Sequence, residues 1–292
     1  MLNVPCNELE QREHKNEKNV STSVKRSILD EIFAAKRIEL EAQRAAVPLD
    51  VIIAEARIAP TPRRFVDALR AQKPAIIAEV KRASPSKGDI LPGLDPAAVA
   101  HDYAAGGAAA ISVLTDRHFK GSLADLRAVR AAVDLPILRK DFIFDPYQIY
   151  EARAAGADAI LLIAAMLTGS ELQSLAALTA ELGLAALVEV HNTEEFEITV
   201  ELAAGLIGIN NRDLHTFKTD IATTEQLLNG YSGDALIVSE SGIETREHIR
   251  RLFAAGARAF LIGESLLRGG APRVALSTLV NAFAGAEPRG VK

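Results

Sequence analysis

The sequence contains few of the residues that mark many protein classes. Its 292 residues include no tryptophan and one cysteine, and aromatic side chains make up 5% of the chain. The single cysteine, Cys6, cannot form a disulfide within the chain, and it excludes a metal site built from several thiolates. This composition fits a protein of the reducing cytoplasm.

Long apolar runs and a basic surface are also missing. The longest apolar runs, such as residues 159–167, are far shorter than the roughly 20 residues that a membrane-spanning helix requires. The formal net charge of -5 and the pI near 5.8 provide no basic patch for nucleic acid. Residues 1–22 are polar and lack the apolar core of a signal peptide, and we expect them to be disordered. We therefore predict neither a membrane nor a nucleic-acid partner, whereas a small anionic ligand is compatible.

Motifs for metals and nucleotides do not occur. The 6 histidines are scattered, without the His-x-x-x-His spacing of a metal site. No GxGxxG or Walker A pattern is present. We predict that the protein binds no metal, and that His191, which follows Glu189, lies on the surface.

The chain begins with helical patterns. Residues 23–44 carry apolar side chains at helical spacing among charged ones, which predicts an amphipathic helix. A second, short helix is predicted over residues 49–56. Thr61 and Pro62 indicate the N-cap and first position of a third. We assign residues 23–73 to an N-terminal helical extension.

Short runs rich in Ile, Leu and Val then alternate with longer alanine-rich segments of helical period. Strands are predicted over residues 76–80, 110–114, 137–139, 159–163, 186–190, 206–209, 236–238 and 259–262. Such alternation predicts a parallel sheet, because each helix carries the chain back to the start of the next strand.

A weak repeat defines the topology. Ala-Ala-Gly precedes a predicted strand at Gly106, Gly156, Gly205 and Gly256, with gaps of 50, 49 and 51 residues. Glycine is expected here because it readily takes the left-handed conformation that ends a helix. Each gap spans two strand-helix units, and eight units predict an α/β fold of the TIM-barrel type. We assign residues 74–292 to the barrel, which forms one domain with the extension.

The first predicted strand carries charge where a buried strand should be apolar. Glu79 and Lys81 are spaced two residues apart and therefore point to the same side of the strand. Burying both groups costs several kcal/mol unless they pair well. These two residues alone support a structural ion pair and a functional pair equally.

Polar residues also follow the later strands. They are Lys140 and Asp141 after strand three, Glu189 after strand five, Asn210, Asn211 and Arg212 after strand six, Glu240 after strand seven and Glu264 after strand eight. Taken singly, Asp141, Asn211 and Glu264 are expected to be exposed residues at strand ends. Because catalytic groups of TIM barrels come from these ends, the set as a whole predicts an acid-base site for an anionic substrate.

Glycines follow the last two strands. Ser241 and Gly242 follow strand seven, and Gly263 precedes Glu264 after strand eight. Each pair alone is a weak signal, because glycine is a common turn residue. In a TIM barrel these two loops commonly hold phosphate, so we predict a phosphorylated substrate.

Six segments carry a family resemblance. They are Ala-Glu-Val-Lys-Arg-Ala-Ser-Pro-Ser-Lys-Gly (78–88), Phe-Lys-Gly-Ser (119–122), Leu-Arg-Lys-Asp-Phe-Ile (138–143), Leu-Val-Glu-Val-His (187–191), Ile-Gly-Ile-Asn-Asn-Arg-Asp-Leu (207–214) and Ser-Glu-Ser-Gly-Ile (239–243). On these segments the chain resembles the indole-3-glycerol-phosphate synthase family of tryptophan biosynthesis. The resemblance covers the barrel and the extension but not residues 1–22.

The resemblance implies a carboxy-lyase that needs no cofactor. Its reaction closes the ring of 1-(2-carboxyphenylamino)-1-deoxyribulose 5-phosphate to give indole-3-glycerol phosphate, with loss of carbon dioxide and water. Lys140 would be the main general acid, and Glu189 the general base that removes the amine proton during dehydration. Lys81 would pair with the substrate carboxylate or share the acid role, and Glu79 would orient the lysines.

The resemblance also implies the binding residues. Arg212 would help to hold the carboxylate, Asn210 would bond the sugar hydroxyls, Glu240 would support the network, and Phe119, Phe142 and Leu161 would receive the anthranilate ring. The phosphate would be held by Ser84, Ser241, Gly242, Gly263 and Glu264. Glu264 departs from the family, in which many members have serine here. We expect only its backbone N–H to contribute, with the carboxylate turned away from the phosphate.

Two alternatives stay open on the sequence. The first is another phosphosugar barrel enzyme, either a Schiff-base aldolase that uses Lys81 or Lys140, or an enzyme like phosphoribosylanthranilate isomerase. The second is a non-catalytic barrel that serves as a scaffold, although such a protein has no need of costly groups such as Glu79 and Glu189. We expect a monomer or a weak homo-oligomer, and association with other tryptophan-pathway enzymes is compatible with the sequence.

Overall fold

The computed structural model of the protein describes residues 28–84, 88–91, 93–213 and 216–284. The expected disorder of residues 1–22 concerns a segment outside these ranges. Within them, eight parallel strands close into a barrel, and the prediction of a TIM barrel is confirmed.

The barrel strands follow the predicted runs closely. They are β1 (Ala75–Val80), β2 (Ala110–Leu114), β3 (Ile137–Lys140), β4 (Ala159–Ile163), β5 (Ala185–Val190), β6 (Leu206–Asn210), β7 (Leu236–Glu240) and β8 (Ala259–Ile262). Each strand is parallel to its neighbours, and β1 closes the barrel by pairing with both β2 and β8. Each predicted run lies within one of these strands. A short antiparallel pair, Ala83–Ser84 with Gly88–Asp89, was not predicted.

Helices precede the barrel and alternate with its strands. Those of the extension are α1 (Ile28–Ala46), α2 (Leu49–Ile58) and α3 (Phe65–Arg70). Those of the barrel are α4 (Pro96–Gly106), α5 (Leu123–Ala132), α6 (Pro146–Ala155), α7 (Gly169–Glu181), α8 (Thr193–Glu201), α9 (Ala222–Leu228), α10 (Arg246–Ala255), α11 (Glu264–Leu267) and α12 (Pro272–Val280). In the described part of the chain, no helix combines the length and the apolar character needed to cross a bilayer.

Two local predictions were wrong. Helix α3 begins at Phe65 with Arg64 at its N-cap, so Thr61 and Pro62 precede the helix rather than start it. The left-handed helix ends are at Gly107 instead of Gly106, and at Ala203 instead of Gly205. In both cases the alanine-glycine pattern locates the turn, but hydrogen bonding at the helix end selects a neighbouring residue for the positive φ.

Side chains alternate between the inside of the barrel and the layer under the helices. The inside is filled by an apolar cluster that includes Ile77, Leu138, Leu187, Leu206 and Val238. Because strand side chains alternate, residues two or four positions further along each strand point to the same side. This rule places Glu79, Lys140, Glu189, Asn210 and Glu240 on the inside, at the carboxyl end of the barrel.

The extension packs against one flank of the barrel. Leu40 of α1 and Ile52 of α2 are buried against Tyr147 of α6. The Tyr147 hydroxyl donates a hydrogen bond to the carbonyl of Val47 at 3.0 Å. These contacts fasten α1 to the sector of the barrel that contains the end of β3.

Candidate active site

A cavity of about 280 Å³ opens at the carboxyl end of the barrel. The predicted site residues line it, apart from Ser84, whose side chain lies outside the described part of the structure. The lining residues with a predicted role are Glu79, Lys81, Lys140, Glu189, Asn210, Arg212, Glu240, Phe119, Phe142, Leu161, Ser241, Gly242, Gly263 and Glu264. The fold therefore brings together, in one cavity, side chains from strands that are distant in the sequence.

Lys140 lies at the centre of the charged groups. Its Nζ contacts Oε2 of Glu189 and lies 3.0 Å from Oε2 of Glu240. Glu189 also accepts a hydrogen bond from Nδ2 of Asn210 at 3.2 Å. The carboxyl groups are almost fully buried, with Glu189 3% and Glu240 1% exposed. The buried ammonium of Lys140 thus pairs with two buried carboxyl groups.

The pKa values of these groups move apart. Burial alone would lower the pKa of Lys140, but the charges of Glu189, Glu240 and Glu79 outweigh it and raise the pKa above its usual value. Burial would raise the pKa of Glu189, yet Lys140 and His191 hold it well below the usual range. For Glu240, burial and the neighbouring Glu189 outweigh Lys140 and raise the pKa to about 8. The site therefore combines an ammonium and a carboxylate that stabilise each other's charge with a second carboxyl group that holds its proton more tightly than usual.

A second ammonium lies beside an aromatic ring. Nζ of Lys81 is 3.6 Å from Oε1 of Glu79 and 5.1 Å from the ring centre of Phe119. Phe119 and Phe142 stack with ring centres 6.4 Å apart. Together with the buried Leu161, these rings form an apolar wall next to a cation. A flat aromatic group with a carboxylate on one edge fits this arrangement.

The loop after β7 presents its backbone to the opposite part of the cavity. Ser241 and Gly242 have φ values of 67° and 77°, so both are left-handed. A Cβ on Gly242 would lie 2.6 Å from Cγ2 of Thr219, so no larger residue fits. Asn211 stabilises this turn, because its Nδ2 donates a hydrogen bond to the Ser241 carbonyl at 3.1 Å. Consecutive backbone N–H groups in such a turn favour an anion.

Asn211 and Asp141 are not the exposed residues that were expected. Asn211 is 2% exposed and its side chain joins the loop after β6 to β7. Asp141 is 3% exposed and accepts hydrogen bonds from Thr115 and Arg139. Both are buried because hydrogen bonds satisfy their polar groups.

The Glu264 side chain pairs with a cation at the cavity mouth. Its Oε1 accepts a hydrogen bond from Nε of Arg268 at 3.1 Å, one helical turn further along the chain. Nη1 of Arg268 lies 3.4 Å from Oε1 of Glu244. Arg268 therefore neutralises a carboxylate that would otherwise repel an anion at Gly263.

Comparison with known proteins identifies the family. The family model for indole-3-glycerol phosphate synthase matches residues 29–279. The chain belongs to the indole-3-glycerol phosphate synthase family. The match includes the helices of the extension as well as the barrel, in agreement with the resemblance found in the six sequence segments.

Relatives in this family are similar over most of their length. The indole-3-glycerol phosphate synthase of Roseiflexus sp. strain RS-1 is 53% identical over 251 residues, which cover 82% of this chain and 93% of the relative. The synthase of Acidithiobacillus ferrooxidans is 50% identical over 257 residues, covering 86% and 98%. That of Chromobacterium violaceum is 51% identical over 257 residues, covering 86% and 97%.

The similarity of this chain to solved structures supports the barrel fold and nothing further. An N-acetylmannosamine-6-phosphate 2-epimerase from Clostridium perfringens is similar with a TM-score of 0.54 at 17% identity, covering 69% of this chain and 91% of the epimerase. A thiamine phosphate pyrophosphorylase from Pyrococcus furiosus gives 0.55 at 14% identity, covering 74% and 100%. At such identities the likeness concerns the fold and not the chemistry.

This synthase-family chain has a buried ion network behind Lys140 that the sequence did not reveal. Nζ of Lys36, on α1, lies 2.8 Å from Asp141 and 3.0 Å from Asp116. Arg139, 1% exposed, lies 3.0 Å from Asp141 and 2.9 Å from Glu151. The network ties the extension to the chain segment that carries Lys140. Lys36 is one of several charged residues on an amphipathic helix, and nothing in its local pattern shows that it would be buried.

His191 is also placed differently from the expected surface position. Its side chain is 7% exposed and lies between two carboxylates. Nε2 is 3.1 Å from Oε1 of Glu189, and Nδ1 is 3.1 Å from Oε2 of Glu195 on α8. Burial would lower the pKa of His191, but the two carboxylates raise it to about 9. In the sequence, the capping pattern of Asn192 and Glu195 indicates where α8 starts, but it does not reveal the contact between Glu195 and His191.

Further cavity residues come from outside the predicted set. Ile32 of α1 lines the cavity, as do Phe217 and Thr219 of the loop after β6. Phe217 has a φ of 57°, an uncommon conformation for a bulky residue. In the sequence, Phe217 and Thr219 follow the recognised segment 207–214, whereas Ile32 lies far from all six segments.

Proposed function

We propose that the protein closes the ring of 1-(2-carboxyphenylamino)-1-deoxyribulose 5-phosphate to form indole-3-glycerol phosphate, releasing carbon dioxide and water. The observation that carries this proposal is the position of Lys140. Its ammonium contacts Glu189 and Glu240 between an apolar aromatic wall and a backbone turn suited to an anion. Family membership supports the same reaction.

The substrate lies across the cavity with its ring on the aromatic wall. The anthranilate ring contacts Phe119 and Phe142, and its carboxylate pairs with Lys81 and Arg212. The phosphate binds the backbone of Ser241, Gly242 and Gly263, in the loops after β7 and β8. This orientation brings the sugar carbonyl to Lys140, and the sugar hydroxyls to Asn210.

Lys140 acts as the general acid. It donates a proton to the carbonyl oxygen as the aromatic carbon attacks, and its charge stabilises the negative charge that develops on oxygen. Decarboxylation then restores the aromatic ring. A second proton, from Lys140 or Lys81, lets the resulting hydroxyl leave as water.

Glu189 acts as the general base. Its low pKa keeps it ionised, and it removes the amine proton while the hydroxyl leaves. Glu240, whose pKa is raised to about 8, is less ionised at neutral pH than Glu189, so Glu189 is the chief partner of Lys140. Glu79 orients Lys81 across the 3.6 Å contact.

The charge state of Lys140 disfavours the aldolase alternative for this residue. A Schiff-base lysine must lose its proton to attack a carbonyl, and burial normally lowers its pKa for that purpose. The carboxyl groups around Lys140 raise its pKa instead. An acid role uses that environment, whereas a nucleophile role works against it.

The absence of tryptophan provides a direct assay. The protein is incubated with the carboxyphenylamino substrate, and indole fluorescence is followed against its tyrosine-only background. We expect fluorescence to rise with time for the unaltered protein, and Lys140→Ala to lose at least about 100-fold in kcat while still binding substrate. Absence of indole at saturating substrate would refute the proposed function. An unchanged kcat in Lys140→Ala would remove the acid role.

The cellular setting follows from the same reaction. We infer a cytoplasmic enzyme that binds a small phosphorylated substrate and no nucleic acid, since its charge gives no basic patch. We expect a monomer or a weak homo-oligomer, open to association with other tryptophan-pathway enzymes. Size-exclusion chromatography with light scattering measures the oligomeric state.

A further inference from the structure

A chain of charged side chains leads away from the cavity behind Glu189. Glu189 contacts Lys140 through Oε2, and its Oε1 lies 3.1 Å from Nε2 of His191. On the far side, Nδ1 of His191 lies 3.1 Å from Oε2 of Glu195. Glu195 is the more accessible end, with 16% of its side chain exposed, against 4% for Glu189.

His191 is separate from the substrate cavity. It is not among the lining residues of the cavity, whereas Glu189 and Lys140 are. The His191 backbone N–H donates a hydrogen bond to Oε2 of Glu195 at 2.8 Å, which fixes the ring beside the start of α8. Its Nε2 has no hydrogen-bond acceptor at a favourable angle, although Oε1 of Glu189 is within ion-pair distance. The imidazole therefore lies between two carboxylates, hydrogen-bonded at Nδ1 and within ion-pair distance at Nε2.

The proton balance of the proposed reaction requires an external source. Two protons are added to the sugar carbonyl oxygen before it leaves as water. One proton is released when the amine and its neighbouring methylene group become part of the indole. Because a carboxylate enters and neutral carbon dioxide leaves, one proton per turnover must come from solvent. A route that reaches Lys140 from outside the substrate cavity can supply this proton while substrate is bound.

We propose, on the basis of the proposed function, that His191 relays this solvent proton to Lys140 through Glu189. The charged imidazole gives its Nε2 proton to Oε1 of Glu189. The carboxyl group rotates and passes a proton to the neutral amine of Lys140. A hydronium ion or a buffer acid then protonates the imidazole again, from the side of the more exposed Glu195.

The direction of transfer agrees with the charges on each group. Lys140 has the higher affinity for a proton, because three carboxyl groups raise its pKa, whereas the pKa of His191 lies at about 9. Glu189 from β5 and Glu195 from α8 are the charged groups that act on the imidazole. A proton therefore moves from His191 toward Lys140 once Lys140 has donated its own.

The test compares variants of His191 in the full-length protein. His191→Ala removes the relay and leaves space for a small base. His191→Gln keeps a polar group between the two carboxylates but cannot accept and release a proton. His101→Ala, an exposed position on α4, is the matched histidine control. Turnover is measured by indole fluorescence with and without added imidazole, after circular dichroism has shown native folding.

We expect kcat of His191→Ala to fall at least tenfold with little change in KM, and to recover as the imidazolium concentration rises. His191→Gln should be equally slow, and the control should match the unaltered protein. Unchanged kcat in His191→Ala overturns the relay. Full activity in His191→Gln, or failure of imidazole to restore His191→Ala, also overturns it, because either result assigns the residue a purely structural role.

A second measurement separates the relay from the proposed function. If the unaltered protein forms no indole, the function fails. The state of His191 is still measurable by NMR, from the imidazole C–H resonance that disappears in His191→Ala. We expect this resonance to titrate near pH 9 and to shift toward 6.5 in Glu195→Gln. If the His191 resonance of the unaltered protein titrates near pH 6.5, the imidazole is not held in its charged form by Glu189 and Glu195, and this contradicts the relay whatever the assay shows.

Discussion

Gly208 leaves space for the carboxyl group of Glu240. A Cβ on Gly208 would lie 2.2 Å from Oε1 of Glu240, closer than any real contact, and 3.2 Å from Cδ1 of Leu187. Gly263 has the same relation to Glu79, with Oε1 at 2.7 Å. These glycines are needed for their lack of a side chain, because they make room for buried carboxyl groups inside the barrel.

We expect Gly208→Ala to reduce kcat at least tenfold, since the added methyl group displaces Glu240 from Lys140. The matched control is Gly205→Ala, at a position with no atom within 4 Å of the added Cβ and no left-handed backbone. Steady-state assays of both variants measure the effect. Normal kcat in Gly208→Ala would show that Glu240 can move without loss.

Glu240 makes the stability of the protein depend on pH in an unusual direction. Its pKa rises from 4.5 to about 8 in the folded protein. Between these values the folded state binds more protons than the unfolded state, so this group's contribution to the free energy of unfolding decreases as the pH rises. In Glu240→Gln that contribution is absent, and the variant should gain stability relative to the unaltered protein across this window.

Urea unfolding at several pH values between 4.5 and 8 measures the difference. Glu247→Gln is the matched comparison, because it makes the same substitution at a side chain that is 76% exposed. A constant difference for Glu240→Gln would contradict a raised pKa at this position.

Lys36→Met tests the ion network behind Lys140. The substitution leaves Asp116 and Asp141 buried without their ammonium partner, and breaking a buried ion pair in this way typically costs about 3–5 kcal/mol. We expect a loss of that order in the free energy of unfolding, measured by urea denaturation. Arg57→Met changes an exposed cation on α2 and should stay within about 0.5 kcal/mol. Equal effects of the two substitutions would show that the network does not stabilise the fold.

Local patterns predicted the barrel and most of the polar residues that line its cavity. Each strand is a short apolar run, and Glu79, Lys140, Glu189 and Glu240 stand at positions of β1, β3, β5 and β7 that alternation directs inward, so strand ends could be searched for chemistry. What the sequence could not give are contacts between distant segments. Lys36 joins Asp141 only because α1 packs beside β3, and His191 is buried only because α8 presents Glu195. Such pairings depend on tertiary packing rather than on local sequence.

Arg268 and Glu264 should act together beside the loop that presents Gly263, where we propose that the phosphate binds. Arg268→Ala removes the cation that pairs with Glu264, so a carboxylate remains beside the loop that presents Gly263. We expect KM to rise several-fold in this variant with little change in kcat, because the repulsion acts on binding and not on the reacting carbons.

The double variant Glu264→Ser with Arg268→Ala removes both charges. If Arg268 acts by neutralising Glu264, KM of the double variant should return close to that of the unaltered protein, and the two effects should not add. If Arg268 instead contacts the phosphate directly, the double variant will keep the raised KM. Steady-state kinetics of the two single variants and the double variant decide between these outcomes. If the change in KM of the double variant equals the sum of the two single changes in binding free energy, Arg268 and Glu264 act independently.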